Sequence, residues 1–294
     1  MNILIIGSEG FIGSHCERYF SQFHSVLSCD VFNLEKKNYF NLQNNSIQSI
    51  LENLTVDVCI NCSGSSNVVD SYHNPLNDFE LNTKNVSVFL DAIRLIQPDC
   101  KFINLSSAAV YGNPTELPVS EQNKIAPISN YGFHKVYAEQ ICAQYSQVYN
   151  LKTISIRIFS AYGPGLKKQL LWDIYQKAKN NQDQIELFGT GMETRDFIFI
   201  EDILEAIEVL IDNAVFKGES YNLASGVETK INEVSQLLLE KLNWQGEVFF
   251  NNQEIEGYPK YWKSEITKIK KIGFVPKVNL INGIEETVKW MNQL

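Results

Sequence analysis

Long apolar runs are missing from this 294-residue chain: nothing approaches the roughly 18 residues that cross a bilayer, so no membrane partner is expected. Basic runs are missing as well. The net charge is −9 and no five consecutive residues are Lys or Arg, which repels nucleic acid and anionic membrane surfaces. Glycine (16) and proline (8) are sparse, while 44 % of residues are apolar and 20 % charged, which excludes collagen-like, low-complexity and disordered classes. His15, His24, His73 and His134 show neither HxxxH nor HxH spacing, so no metal is expected. Six cysteines, Cys16, Cys29, Cys59, Cys62, Cys100 and Cys142, are scattered through apolar segments of a chain too long to need disulfide staples. That usage reads as reduced and cytoplasmic. The apolar start Met1 to Ile6 is short, has no basic flank and runs into a glycine-rich turn, which argues against a secretory signal. Cys59 and Cys62 form a CxxC, but strand alternation puts residues three apart on opposite faces, so they read as core thiols rather than a redox pair or metal ligands.

Apolar periodicity alternates between strand and helix. NILIIG precedes a helical pattern from Phe11 to Phe23; SVLSCDVF precedes a helix from Ile47 to Leu54; VDVCINCSG precedes a helix from Asn77 to Ile96; then comes KFINLSS. Strands separated by helices imply right-handed crossovers and a parallel sheet covered on both faces. The fold class is therefore α/β, a doubly wound, Rossmann-type parallel sheet. YGNPTELPVSEQNKIAPISN carries three prolines and reads as a long loop, followed by a helix from Tyr131 to Tyr149 and the strand TISIRIFS. Beyond AYGPG lie a helix near Leu170 to Lys179, the strand DFIFI, the helix DILEAIEVLI, the strand YNLAS and the helix INEVSQLLLEKL. A last helix is expected with Asn282 as N-cap and Glu285 three residues on. There is no internal repeat and no flexible linker.

GSEGFIG sets Gly7, Gly10 and Gly13 between the first strand and the first helix. The first permits a tight turn, the second lets the backbone approach a pyrophosphate, and the third lets the helix pack closely on the sheet. Asp30, at the end of the second strand, suits the adenosine ribose hydroxyls and repels a ribose phosphate, which favours NAD over NADP, although Lys36 and Lys37 are near in sequence. In YGFHK, Tyr131 and Lys135 share one helix face. A phenol titrates near 10 and becomes a base at neutral pH only beside positive charge, which Lys135 and an oxidised nicotinamide could both supply. Ser106 and Ser107 end a strand, and only one of two adjacent residues can face that phenol.

GSEGFIG, Asp30, VDVCINCSG, LNTKN, SSAAVYGNP, YGFHK, RIFSAYGPG and ETRDFIFIEDI, in this order over some two thirds of the chain, resemble the extended short-chain dehydrogenases/reductases that act on sugar nucleotides as epimerases and dehydratases. The resemblance implies NAD as cofactor and a nucleotide sugar as substrate. Tyr131 would be the acid/base, Lys135 would hold the nicotinamide ribose, and Ser107 would be the catalytic hydroxyl. Phe11, Ile12, Asn41, Leu42, Cys62, Ser63, Gly64 and Phe159 would join the glycines and Asp30 around the cofactor. Asn82, Ser160 and Arg195 would meet the substrate, Arg195 at its diphosphate. Residues 1–162 would form the NAD-binding domain, and 163–294 a smaller C-terminal α/β substrate-binding region that exchanges 197–224 with the first. The helices Asn77 to Ile96 and Tyr131 to Tyr149 resemble those through which such proteins pair as homodimers. Two departures stand out: relatives carry Asn where this chain has Ser160, and a second diphosphate-binding arginine expected in NNQEIEGYPKYWKSE is missing, leaving Lys260 and Lys263.

Ala108 and Ala109 bear on the reaction. Dehydratases of this kind carry Asp and Glu after the catalytic hydroxyl, and relatives that decarboxylate carry Glu at the second position; methyl groups transfer no protons. Epimerisation at C4 through a transient 4-keto sugar needs no further acid or base and fits best. A 4-ketosugar reductase using NADH or NADPH is the alternative, and a non-catalytic dinucleotide sensor the third reading.

Overall fold

A computed structural model describes residues 1–253, 257 and 259–294 of the chain. The main sheet grows outward from the first apolar run. β1 (Asn2–Ile6) pairs in parallel with β2 (Ser25–Asp30) and, on its other side, with β4 (Val58–Asn61). β3 (Tyr39–Asn41) extends the β2 edge. β5 (Lys101–Ser107), β6 (Lys152–Ile158) and β10 (Glu219–Leu223) extend the β4 side, giving seven parallel strands in the order β10-β6-β5-β4-β1-β2-β3.

Strand alternation feeds two cores. Ile3, Ile5, Ile60 and Ile103 enter one, with Cys16 and Phe20 of α1 (Phe11–Phe20) and Ile203 and Ile207 of α8 (Ile200–Asn213). Leu4, Ile6 and Phe102 enter the other, with residues of α2 (Ile47–Asn53), α5 (Asn85–Ile96) and α6 (Asn130–Tyr149). Both faces are thus covered, as a parallel sheet requires. Cys59 lies in the second core and Cys62 packs beside the first, so the CxxC straddles the sheet. Between β4 and α5 come α3 (Val68–His73), α4 (Pro75–Phe79) and a π-helical turn, Glu80–Lys84. Among the described residues no helix is long and apolar enough to cross a membrane.

Beyond β6 the chain builds smaller sheets. β7 (Ser160–Tyr162), β9 (Thr194–Phe199) and β11 (Glu228–Lys230) form one; β8 (Gln184–Leu187) and β12 (Glu247–Phe250) form another. Around them lie α7 (Gln169–Asn180), α9 (Ile231–Lys241) and α11 (Leu280–Met291), while α10 (Thr267–Lys271) packs on β10.

Some expectations need correction. The helix expected over Asn77 to Ile96 starts at Pro75 and passes through the π turn, whose extra residue shifts the helix face and buries both Asn82 and Thr83. The final helix is capped by Asn279, whose side chain accepts the Asn282 backbone N–H; Asn282 is the capped residue, three places into the motif. The first helix ends at Phe20 rather than Phe23. The long loop after Ser107 opens with a 3-10 turn, Ala108–Tyr111.

Candidate active site

The order of strands reverses about β1, and the turns after β1, β2, β4, β5 and β6 converge at the carboxyl ends of the sheet, where ligands of such folds sit. The first of these turns is governed by missing side chains. Gly7 takes φ +81, and a Cβ there would lie 2.7 Å from the Ser63 backbone; one at Gly13 would overlap the Gly7 carbonyl oxygen. Gly10 meets only that oxygen, at 3.3 Å, and begins α1 with no side-chain cap, so Phe11, Ile12 and Gly13 present free N–H groups. Asp30 lies across this turn: Oδ2 accepts Glu9 N–H at 2.9 Å and Oδ1 accepts Val31 N–H at 2.7 Å. Asn41 stands opposite Asp30 in β3, and Leu42 N–H bonds the Asp30 carbonyl at 2.8 Å. Lys36 is engaged with Glu17 and Glu9. The turn Cys62–Gly64 completes this side, its backbone against Gly7.

Ser107, Tyr131 and Lys135 meet at the centre. The Ser107 hydroxyl accepts Ala109 N–H at 3.1 Å and lies near enough to the Tyr131 phenol to favour its ionised form. Burial pushes that phenol up to about 12; the Ser107 hydroxyl opposes the shift and the Asp78 charge adds to it. Lys135 Nζ donates to the Leu105 carbonyl at 2.9 Å and lies 5.7 Å from the centre of the Tyr131 ring. Burial lowers its pKa to about 8 against the pull of Asp78 and Glu139. Ser106 faces the other way and donates to Glu139 Oε1 at 2.6 Å. Arg157 grips Glu139 through Nε and Nη2, at 3.0 and 2.6 Å, and Nη1 donates to the Tyr111 hydroxyl, which donates to Asn222. This buried network joins β5, α6, β6 and β10 behind the three residues.

The opposite side is held together by Trp262, which the sequence reading missed. Phe159 packs edge-on to it at 5.8 Å between ring centres, and the Arg195 guanidinium lies over its face at 5.5 Å. Arg195 Nη1 also donates to the Thr194 carbonyl at 2.8 Å. Ser160 pairs with Phe197 in the β7–β9 ladder, two residues from Arg195. The only trace of Trp262 in sequence is an aromatic residue in a segment with no periodicity; β7, β9 and the loop carry it into place. In the segment NNQEIEGYPKYWKSE, Glu254, Ile255, Glu256 and Tyr258 lie outside the described residues. The Lys260 carbonyl accepts Thr194 N–H at 2.9 Å. Asn82 comes from the π turn; its Nδ2 donates to Asp78 at 3.0 Å, while Oδ1 is buried without a partner. His134 bonds Asp78 through Nδ1 at 2.6 Å. Ala108 and Ala109 are both buried beside Ser107.

Similar proteins share this architecture over their whole length. A putative UDP-glucose 4-epimerase of Methanocaldococcus jannaschii is 29 % identical, with 98 % of either chain covered. The uncharacterized UDP-glucose epimerase YtcB of Bacillus subtilis is 27 % identical over 100 % of this chain and 99 % of its own. The crystal structure of UDP-glucuronic acid 4-epimerase from Bacillus cereus, in complex with UDP-glucuronic acid and NAD, has the same fold: TM-score 0.90 and 23 % identity over 100 % of this chain and 99 % of that one. Matched over residues 3–224 by the family described as NAD dependent epimerase/dehydratase, a span that holds every site residue above except Lys260 and Trp262, this chain belongs to that family.

Proposed function

We propose that this protein is an NAD-dependent epimerase that inverts C4 of a nucleotide-linked hexose, with uridine diphosphate as the carrier, as in the names of the similar proteins. The residues present fit the dinucleotide. Gly7, Gly10 and Gly13 leave a cradle that Cβ atoms would fill, the first turn of α1 is uncapped, and Asp30 stands where ribose hydroxyls need an acceptor. Phe11, Ile12, Asn41, Leu42 and Cys62–Gly64 line the same side, and Phe159 borders it.

Bound NAD supplies the hydride acceptor and donor of the cycle and a positive ring charge that favours the phenolate of Tyr131. Tyr131 takes the proton from the C4 hydroxyl, and the neighbouring Ser107 hydroxyl shares it. Lys135 holds the nicotinamide ribose, and its ammonium lowers the cost of ionising Tyr131. The same phenol returns the proton after the 4-keto sugar has presented its other face. Arg195 binds the diphosphate, with Asn82 and Ser160 at the sugar. Residues 1–162 bind the cofactor and 163–294 chiefly the substrate, with 197–224 shared between them.

The buried pair Ala108 and Ala109 carries the choice of reaction: the two residues that follow Ser107 end in methyl groups, which offer no acid or base with which to expel water or carbon dioxide. Incubation with UDP-hexoses and catalytic NAD, followed by proton NMR of the products, tests this. The expected result is a C4 epimer with no lasting absorbance from reduced nicotinamide. Stoichiometric oxidation of NADH by a 4-ketosugar, with no hexose epimerised, would assign the chain to the reductases.

The protein acts as a cytoplasmic homodimer in this reading. Val88 and Leu95 of α5 and Phe133, Tyr137, Val148 and Tyr149 of α6 are exposed, which supports pairing through these two helices. A monomer in light scattering at micromolar concentration overturns that assignment.

A further inference from the structure

YGFHK puts a histidine directly before Lys135, and the fold buries it against α4. His134 Nδ1 lies 2.6 Å from one oxygen of Asp78, and the other oxygen accepts from Asn82 Nδ2 at 3.0 Å. Asp78 and Asn82 are each 2 % exposed and His134 8 %, so water does not compete for these bonds. The Asp78 carboxylate accepts the bond that Asn82 Nδ2 donates, which settles the orientation of the amide: Oδ1 faces away from Asp78. There it has no partner and lies against Gly64, where a Cβ would overlap it. Gly64, at φ +115, ends the turn Cys62–Gly64, whose Ser63 backbone lies within 2.7 Å of where a Gly7 Cβ would be.

We propose that Asp78 and His134 are positioning residues for the cofactor turn: their buried pair holds the Asn82 amide oxygen against Gly64 and so sets the backbone of Cys62–Gly64 against the glycine turn at Gly7. The inference rests on the reading of these two turns as the dinucleotide site. Neither Asp78 nor His134 touches the reacting atoms; each acts through Asn82. The π turn is what makes the arrangement possible, because it brings Asn82 inward one turn after Asp78.

Calorimetric titration of the full-length protein with NAD, beside turnover at saturating NAD, tests the proposal. An asparagine amide nitrogen reaches about as far as histidine Nδ1, whereas the longer stem of glutamine carries its nitrogen past Asp78. His134→Asn is expected to hold the NAD dissociation constant within about twofold, while His134→Gln and Asp78→Leu each weaken it about tenfold. Turnover of the two histidine variants returns to within about threefold of the parent once NAD and the sugar nucleotide both saturate; Asp78→Leu is read on NAD affinity alone, because the Asp78 charge also bears on Tyr131 and Lys135. A merely structural role would lower the unfolding temperature in all three variants and leave the order of NAD affinities flat. Equal affinities in the parent, His134→Asn and His134→Gln overturn the proposal, as does an equal loss in both histidine variants. Absence of NAD binding to the parent itself overturns the cofactor reading, a result distinct from either.

Discussion

The side of the cleft proposed to hold the cofactor is made of turns that directly follow parallel strands: Gly7–Gly10 after β1, Asp30 closing β2, Cys62–Gly64 after β4. The opposite side gathers Phe159, Ser160, Arg195 and Trp262 from segments as far as a hundred residues apart, joined by the three-residue β7–β9 ladder and ring contacts. One side is main-chain geometry imposed by the sheet; there, side chains matter chiefly where glycine omits them. The other is side-chain geometry, in which a single indole orders both a phenyl ring and a guanidinium. Damage should therefore differ in kind as well as in size. Changes on the first side should move dinucleotide affinity and changes on the second should move sugar-nucleotide affinity, with Phe159, which borders both, the exception.

The seam between them breaks the comparison most sharply, since the proposed mechanism sets Tyr131 between both ligands. Tyr131→Phe is expected to lower turnover about 10²-fold or more while NAD affinity, measured by calorimetry, stays unchanged. Near-normal turnover would remove the phenol from proton transfer. Ser107→Ala should cost less, and Ser106→Ala little, because the Ser106 hydroxyl serves a Glu139 that keeps its paired bonds from Arg157.

Effects of about tenfold are expected from the pair Arg195→Ala and Asp30→Ala, measured against both ligands. Arg195→Ala should raise the KM for the nucleotide sugar by about that factor and leave NAD binding alone, since a charge-assisted contact to a diphosphate is lost. Asp30→Ala should erase a preference for NAD over NADP that is at least about tenfold in the parent, roughly 1.4 kcal/mol. The basis is like-charge repulsion by a carboxylate whose neighbouring cation, Lys36, is already taken up by Glu17 and Glu9. If either variant altered both affinities together, the two sides would be one unit.

The same contrast explains how much could be read from the sequence. NILII, VCIN and KFINLSS are buried runs whose neighbours in the sheet follow from strand-helix alternation, so the parallel sheet and its glycine turn were legible, as was the shared helix face of Tyr131 and Lys135. Alternation alone left Ser106 and Ser107 open, because it says only that they face apart; the family resemblance chose Ser107, and Glu139 and Arg157 on other elements hold Ser106 on the far side. β8 and β12 pair across some sixty residues and carry no local pattern. Trp262 and the Asp78–His134 pair acquire meaning only through contacts that tertiary structure creates.

The smallest expected effect concerns Lys135 itself, the residue where main-chain support and side-chain chemistry coincide, since its ammonium is bonded to the Leu105 carbonyl of β5. Burial lowers its pKa from 10.5 to about 8, so between those values the unfolded chain binds more protons than the folded one. Stability of the NAD-free protein therefore rises with pH across that window as far as this group decides it. Lys135→Met removes the penalty of the buried charge. The variant should unfold at a higher temperature than the parent near neutral pH, and the difference should shrink as pH climbs from about 8 towards 10.5. Tyr131 works in the opposite sense: raised to about 12, it adds stability that is complete below 10 and is lost as pH rises from 10 to 12, but it is present in both proteins and drops out of the difference. Thermal unfolding of the two, followed by circular dichroism across this range, decides the matter. A gap that stays constant with pH would mean that Lys135 carries its charge inside the fold at no cost, and that its bond to Leu105 outweighs its burial.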